Sequence, residues 1–214
     1  MPVVTVRGQY GSGAVEIGQA VADLIGGDYV DREIIAQVAE RLDLEHEHVV
    51  AKEEPPGSIW GRIAHALERS MAYGGSISGV YAPAWQVPLG DTHYLETLTA
   101  VIMELAQDPN IVIRGRGAHF ILKDHPTAFH VLTVAPLELR IQRIMEAFKL
   151  DQEMARKEIE RFDSSRRVFI RRYFNADAGD PSNYDLTVNT EHLSYDDIAQ
   201  IIVQAAALRS RPQP

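Results

Sequence analysis

Val3-Val4-Thr5-Val6-Arg7-Gly8-Gln9-Tyr10-Gly11-Ser12-Gly13 begins as an apolar, β-branched run and ends among glycines. Val3–Val6 reads as a buried strand. From Ala14 to Ile25 the apolar positions Ile17, Val21, Leu24 and Ile25 recur at helical spacing, and Gly26-Gly27 stops the helix. Asp28-Tyr29-Val30 is a brief second strand. Asp31 then suits the N-cap of a helix whose apolar stripe is Ile34, Ile35, Val38 and Leu42. Strand, glycine loop, helix and strand in this order predict a parallel α/β sheet.

Working outward, Glu54-Pro55-Pro56-Gly57 breaks the pattern. Tyr73 to Gly90 is rich in glycine and proline, so loops and short turns are expected there. A helix is expected from about His93 to Gln107, with Leu95, Leu98, Val101, Ile102 and Leu105 on one face. Three more strands follow at Ile111–Ile113, Phe129–Val134 and Leu186–Val188. Helical segments from Leu137 and Gln152 fill the gap between the last two, and a final helix runs from about Tyr195 to Leu208. The reading is one domain over residues 1–209, with an irregular insertion at about 54–92 and a flexible tail at 210–214.

Composition narrows the function classes. The 214 residues carry 21 Lys+Arg and 30 Asp+Glu, a formal charge of −9, which argues against a nucleic-acid coat. Zero cysteines remove disulfide scaffolds, thiolate metal sites and thiol catalysis together. No apolar run approaches the ~20 residues needed to cross a bilayer, and Met1-Pro2-Val3-Val4 lacks the charged start of a secretory signal. A cytoplasmic protein with no membrane partner is the expectation.

Three segments carry chemistry. Gly8-x4-Gly13, between a strand and a helix, has the glycine spacing of a phosphate cradle, where backbone N–H groups wrap an anion at a helix N-terminus. The full cradle continues with Lys and Ser/Thr, and here Ala14 and Val15 stand in those places. A bare tight turn is the alternative. A dinucleotide site is another, with Asp31 as the ribose-binding acid, although Glu16 stands where a small residue is wanted. The second segment is Arg114-Gly115-Arg116-Gly117, directly after a strand, where open α/β sheets bind ligands. The third, Arg161 to Tyr173, sets five arginines against one aspartate. On a helix, Phe162, Arg166, Phe169 and Tyr173 share one stripe, so Arg166 faces the protein and needs Asp163 or a ligand phosphate. Glu45-His46-Glu47-His48 lacks the spacing of a helical metal pair and reads as a solvated turn, so no metal centre is expected.

Taken in order, these blocks resemble the cytidylate-kinase-like family of P-loop proteins over nearly the whole chain. The matching residues are Tyr10-Gly11-Ser12-Gly13, Asp31-Arg32-Glu33, Gly115-Arg116-Gly117-Ala118, Asp163 with Arg166, and Gly179-Asp180-Pro181-Ser182-Asn183-Tyr184-Asp185-Leu186 ending in Asn189-Thr190. The resemblance implies a P-loop NTPase-type α/β fold with a five-stranded parallel sheet and an arginine-bearing lid. It also implies transfer of the γ-phosphoryl group of ATP, with Mg²⁺, to CMP, dCMP or a related acceptor. Gly8, Gly11, Ser12 and Gly13 would then cradle the donor phosphates, and Asp31 would begin the acceptor region. Arg116 would meet the acceptor phosphate, and Arg166 and Arg171 would close from the lid.

The chain departs from the family pattern on the donor side. Val15 replaces a customary arginine, and Arg7-Gly8-Gln9 replaces Ser-Arg-Glu. Two classes follow: a small-molecule kinase in which Arg7 or a lid arginine replaces the loop cation, or a nucleotide-binding or sensing protein that keeps the fold without turnover. For the second class, a homodimer through the Gly/Pro-rich middle is the partner expectation.

Overall fold

Five short strands, none longer than seven residues, lie parallel in one sheet. The computed structural model describes residues 3–31, 62–63, 92–108 and 110–209. The strands are β1 (Val3–Gly8), β2 (Asp28–Val30), β3 (Ile111–Arg114), β4 (Ala128–Val134) and β5 (Leu186–Asn189), in the spatial order β2-β3-β1-β4-β5. Every pairing is parallel, with β1 at the centre: Thr5 sits opposite Ile113 on one side and His130 on the other. All five expected strands are present. Their β-branched runs suit a sheet covered on both faces.

The helices are α1 (Ala14–Ile25), α2 (Thr92–Leu105), α3 (Ala118–Ile121), α4 (Leu137–Phe148), α5 (Gln152–Phe174) and α6 (Tyr195–Arg209). Strand alternation divides the core. Val4 and Val6 face α1 and α6 with Val112, Val131, Ile198 and Ile202, while Val3 joins Ile111, Leu98 and Ile102 on the other face. Leu24, expected in the α1 stripe, is 52% exposed, because it falls at the edge of the face centred on Val21 and Ile25. Gly26 ends α1 in the left-handed conformation, its N–H returning to the Ala22 and Asp23 carbonyls.

α5 is 23 residues long, roughly 34 Å at 1.5 Å per residue, and starts on an N-cap in which Asp151 accepts from the Met154 N–H. Its far end packs into the sheet core through Phe169 and Ile170. Its first turns pack on α4 through Ile141, Ile144, Ala155 and Ile159. The helix therefore lies across the carboxyl ends of the strands.

Within the expected insertion, Ile63 is fully buried in the core, and Arg62 bridges Asp28 at 3.2 Å and Asp108 at 3.1 Å. The remainder of that insertion, the helix expected after Asp31, the His46/His48 turn and the 210–214 tail lie outside the described residues.

A buried polar network lies under α3. Thr5 Oγ1 meets His130 Nδ1 at 2.8 Å, and the His119 ring stacks on Tyr184 with its Nε2 3.1 Å from the phenol. Burial holds the His119 pKa down at about 3, aided by the nearby Arg7 charge, so the imidazole is neutral. Arg7 itself donates to the Ala178 carbonyl and to Tyr184 Oη.

Candidate functional site

The glycine loop joins β1 to α1 as its spacing requires. Gly11 and Gly13 both have φ near +80°, a conformation that side-chain-bearing residues avoid. Gly8 is required by proximity: a Cβ there would lie 2.3 Å from Thr133 Oγ1 and 2.5 Å from Ser12 Oγ. Ser12 is fully buried and its hydroxyl bonds Thr133 Oγ1 at 2.7 Å. Its side chain thus ties the loop to β4, leaving backbone as the only part that can cradle an anion. Gln9 adds a second tie, donating its N–H to the Thr133 carbonyl and accepting from the Ala135 N–H with Oε1.

A cleft of about 520 Å³ opens above the loop, at the carboxyl ends of the strands. Among the described residues, five arginines (Arg7, Arg114, Arg116, Arg143 and Arg166) line it, against the carboxylates Glu16 and Asp31. The described lining thus carries a formal excess of three positive charges in a −9 chain, which favours anions here.

Each arginine is held differently. Arg116 follows β3 with φ 52° and is 8% exposed, so the left-handed turn directs a nearly buried guanidinium toward the cleft. Arg114 is spent on scaffold: its Nε donates to Tyr29 Oη at 2.8 Å and its Nη2 lies 3.4 Å from Asp31 Oδ2. Burial raises the Tyr29 pKa to about 12, so the phenol stays protonated. Arg166 reaches down from α5, donating to the Gly8 carbonyl at 3.0 Å with its guanidinium 5.7 Å from the Tyr10 ring centre.

The sequence reading offers Asp163 or a ligand phosphate as the partner of Arg166, and the structure directs Asp163 elsewhere. Asp163 binds Arg140 at 2.7 Å and accepts from the Tyr10 N–H at 2.9 Å. Arg171 is exposed and outside the cleft lining, because it sits five residues beyond Arg166 and so on another face of the helix. Arg7, offered as a replacement loop cation, lines the cleft but points its Nη1 to the segment after α5.

Two arginines on α4 escaped the sequence reading. Arg143 donates to the Gly11 carbonyl at 3.3 Å, to Thr190 Oγ1 at 2.9 Å and to the Thr190 carbonyl at 2.7 Å. It also lies over the Tyr195 ring at 5.3 Å, and that ring crowds the loop so closely that a Cβ on Gly13 would be 2.4 Å away. Arg140 is 7% exposed. A signal was available for Arg140: a cation in the first turn of a helix opposes its dipole, which favours an anionic partner nearby.

The sequence pattern of the cytidylate kinase-like family matches residues 3–192. The chain belongs to that family. Among similar proteins, a cytidylate kinase of Methanosarcina barkeri is 25% identical over 202 residues, covering 93% of both chains. A cytidylate kinase of Natronomonas pharaonis is 32% identical over 96 residues, which is 45% of this chain and 50% of that protein. For the first of the curated relatives, then, the chain spans about half their length or less. A solved structure of an uncharacterized protein from Eubacterium ventriosum superposes with a TM-score of 0.67 at 16% identity, covering 99% of this chain and all of that one, which speaks for the fold.

As a member of this P-loop family, the chain brings Gly8, Gly11, Gly13, Asp31, Arg116 and Arg166 to one cleft. A nucleotide phosphate fits that arrangement of glycine backbone and guanidinium groups. A magnesium ion finds less: Val15 offers no hydroxyl, Asp31 is engaged by Arg114, and no cluster of three metal-binding side chains occurs among the described residues. An ion here would depend on phosphate oxygens, water and the carboxylates of Asp31 and Glu16. Among the described residues no helix is long and apolar enough to cross a membrane.

Proposed function

We propose that the protein transfers the γ-phosphoryl group of ATP to CMP, dCMP or a closely related small phosphate acceptor. The observation that carries this reading is the convergence of the glycine loop, Asp31, Arg116 and Arg166 on a single electropositive cleft. Phosphoryl transfer asks little covalent chemistry of a protein and depends on positioning and charge stabilisation. An acceptor phosphate oxygen attacks the γ-phosphorus in line, and the bond from that phosphorus to the ADP oxygen breaks. Loop backbone N–H groups hold the donor phosphates, Arg116 orients the acceptor phosphate, and Arg166 meets the charge that spreads over the transferring group. Mg²⁺, when bound with the nucleotide, would neutralise phosphate charge.

The missing loop lysine is answered by Arg143 in this reading. Its guanidinium already bonds the Gly11 carbonyl on the loop, from where it can turn to a donor phosphate. ATP binding is then weaker than in a loop with its own lysine and hydroxyl. A lost charge-assisted contact is worth roughly 1.5–3 kcal/mol, or about one to two decades in affinity.

A coupled ADP-release assay over the common nucleoside monophosphates, with ATP and Mg²⁺, tests the proposal. CMP and dCMP are expected to turn over, and calorimetry is expected to give ATP affinity weaker than micromolar. The second reading, a nucleotide-binding or sensing protein without turnover, draws on Ala14 and Val15. Nucleotide binding with no ADP release from any acceptor would select it.

A further inference from the structure

Tyr10 occupies the middle of the glycine loop, and no step above uses it. Its ring leaves the loop and stacks on Phe162 of α5, with centroids 4.3 Å apart and planes inclined by 18°. Its backbone N–H donates to Asp163 Oδ1 at 2.9 Å, and its carbonyl accepts from Arg140 Nη1 at 3.2 Å. Arg140 closes the circuit on Asp163 Oδ2 at 2.7 Å. One turn further along α5, Arg166 lies over the same ring and donates to the Gly8 carbonyl. Two consecutive turns of a long, half-solvated helix are therefore docked on one loop residue, with no ligand required.

The backbone contacts would form with any residue at position 10. The ring contacts need an aromatic, and they act beside the Gly8 carbonyl bond in holding Arg166 at the loop. Without them, Asp163 and Arg140 hold α5 to the loop at a single turn, which leaves the helix free to tilt, and Arg166 loses the surface on which its guanidinium rests. We propose that Tyr10 is a positioning residue, whose ring docks α5 so that Arg166 stands over the phosphate-binding loop before nucleotide arrives. This builds on the phosphoryl-transfer reading for its catalytic consequence, but the docking itself does not depend on turnover. A guanidinium already in place spares the reorganisation that a mobile cation undergoes at each cycle.

The experiment has two arms. The chain has no cysteine, so paired spin labels at Leu24→Cys on α1 and Glu160→Cys on α5, both exposed, report the docking by distance measurement. The parent and Tyr10→Phe are expected to give one narrow distance without ligand, and Tyr10→Ala a broad distribution. A narrow, unchanged distance in Tyr10→Ala overturns the proposal, whatever the enzyme assay shows.

In the kinetic arm, Tyr10→Ala is expected to lower kcat about tenfold, with KM for both substrates within about twofold, and Tyr10→Phe to restore it. In an Arg166→Ala background, Tyr10→Ala should cost nothing more, because the group it positions is gone. Losses that multiply in the double variant assign Tyr10 to packing alone and overturn the proposal. A parent with no turnover defeats the phosphoryl-transfer reading, and the label distances then decide Tyr10.

Discussion

At the β3 end of the cleft, the charged groups belong to the strand ends themselves. Arg114 ends β3 and Arg116 follows it in the turn, and Arg114 bonds the Tyr29 phenol and Asp31 just past the neighbouring end of β2. At the loop end, the segment Gly8–Val15 carries no cation, and its positive charge arrives from α4 and α5 through Arg143 and Arg166. The first end is built from residues adjacent in sequence or on paired strands. The second is assembled by helices that come more than a hundred residues later. Charge imported in this way depends on how those helices dock, so the loop end should be the more sensitive to changes far from it.

The largest effect expected from this contrast is at Arg166. Arg166→Ala should lower turnover by roughly 10²–10³-fold, as loss of one preorganised transition-state donor does, with smaller changes in nucleotide affinity. Arg161→Ala is the control, because that guanidinium is exposed and paired with Glu158. Its steady-state rates should match the parent, and equal rates for Arg166→Ala would remove α5 from the chemistry.

Next in size is Arg116 at the β3 end. Arg116→Ala should raise the KM for CMP by about 10- to 100-fold, with ATP binding unchanged by calorimetry. A loss of ATP affinity instead would mean that the two ends are not separate.

A gain of function sharpens the comparison further. Arg143→Gln should weaken ATP binding about tenfold, and Ala14→Lys in the same chain should recover most of that loss, since the loop would again carry its own cation. Titration calorimetry on the three proteins checks this, and no recovery would argue that Arg143 serves the Thr190 carbonyl and not the nucleotide.

The smallest effect concerns Arg7, which belongs to the polar network under α3 and not to the loop charge. His119 in that network has a folded-state pKa of about 3, below the unfolded value, so the unfolded chain takes up the proton first. The stability it contributes is complete above about pH 6.5 and declines as pH falls toward 3. Between pH 7 and 5.5 this one group should remove on the order of 1 kcal/mol, lowering the melting temperature by a few degrees in a domain of this size. His119→Phe should remove that part of the pH dependence without changing ATP affinity at pH 7.

These contrasts also explain how much could be read beforehand. The five strands and most helices were legible because apolar periodicity and glycine stops act locally, as in Ile17, Val21 and Gly26. That Gly11, Gly13, Asp31 and Arg116 would meet at one end of the sheet was legible for the same reason, each being marked by its immediate neighbours. Ser12 lies in the glycine loop as expected, but its hydroxyl turned inward because Thr133, on a strand paired from afar, offered it a buried partner. Asp163 was one of two partners that helical spacing offered Arg166, the other being a ligand phosphate, and Arg140 from a different helix took it. Arg171 shared the composition of its neighbours but not their direction. What the sequence hid was each case in which a polar group had several partners within reach and only the packed helices selected one.

The central position of β1 has a consequence during synthesis. Val3–Val6 leaves the ribosome well ahead of both its neighbours, Val112–Arg114 and Ala128–Thr133, so its backbone groups wait for about 125 further residues. At about 5–20 residues per second, that exposes an apolar strand with two unpaired edges for roughly six seconds or more. Contacts so distant along the chain also make closure of the sheet slow. The nascent protein is therefore most vulnerable to aggregation before β4 emerges, and chains truncated ahead of Ala128 should partition into the insoluble fraction.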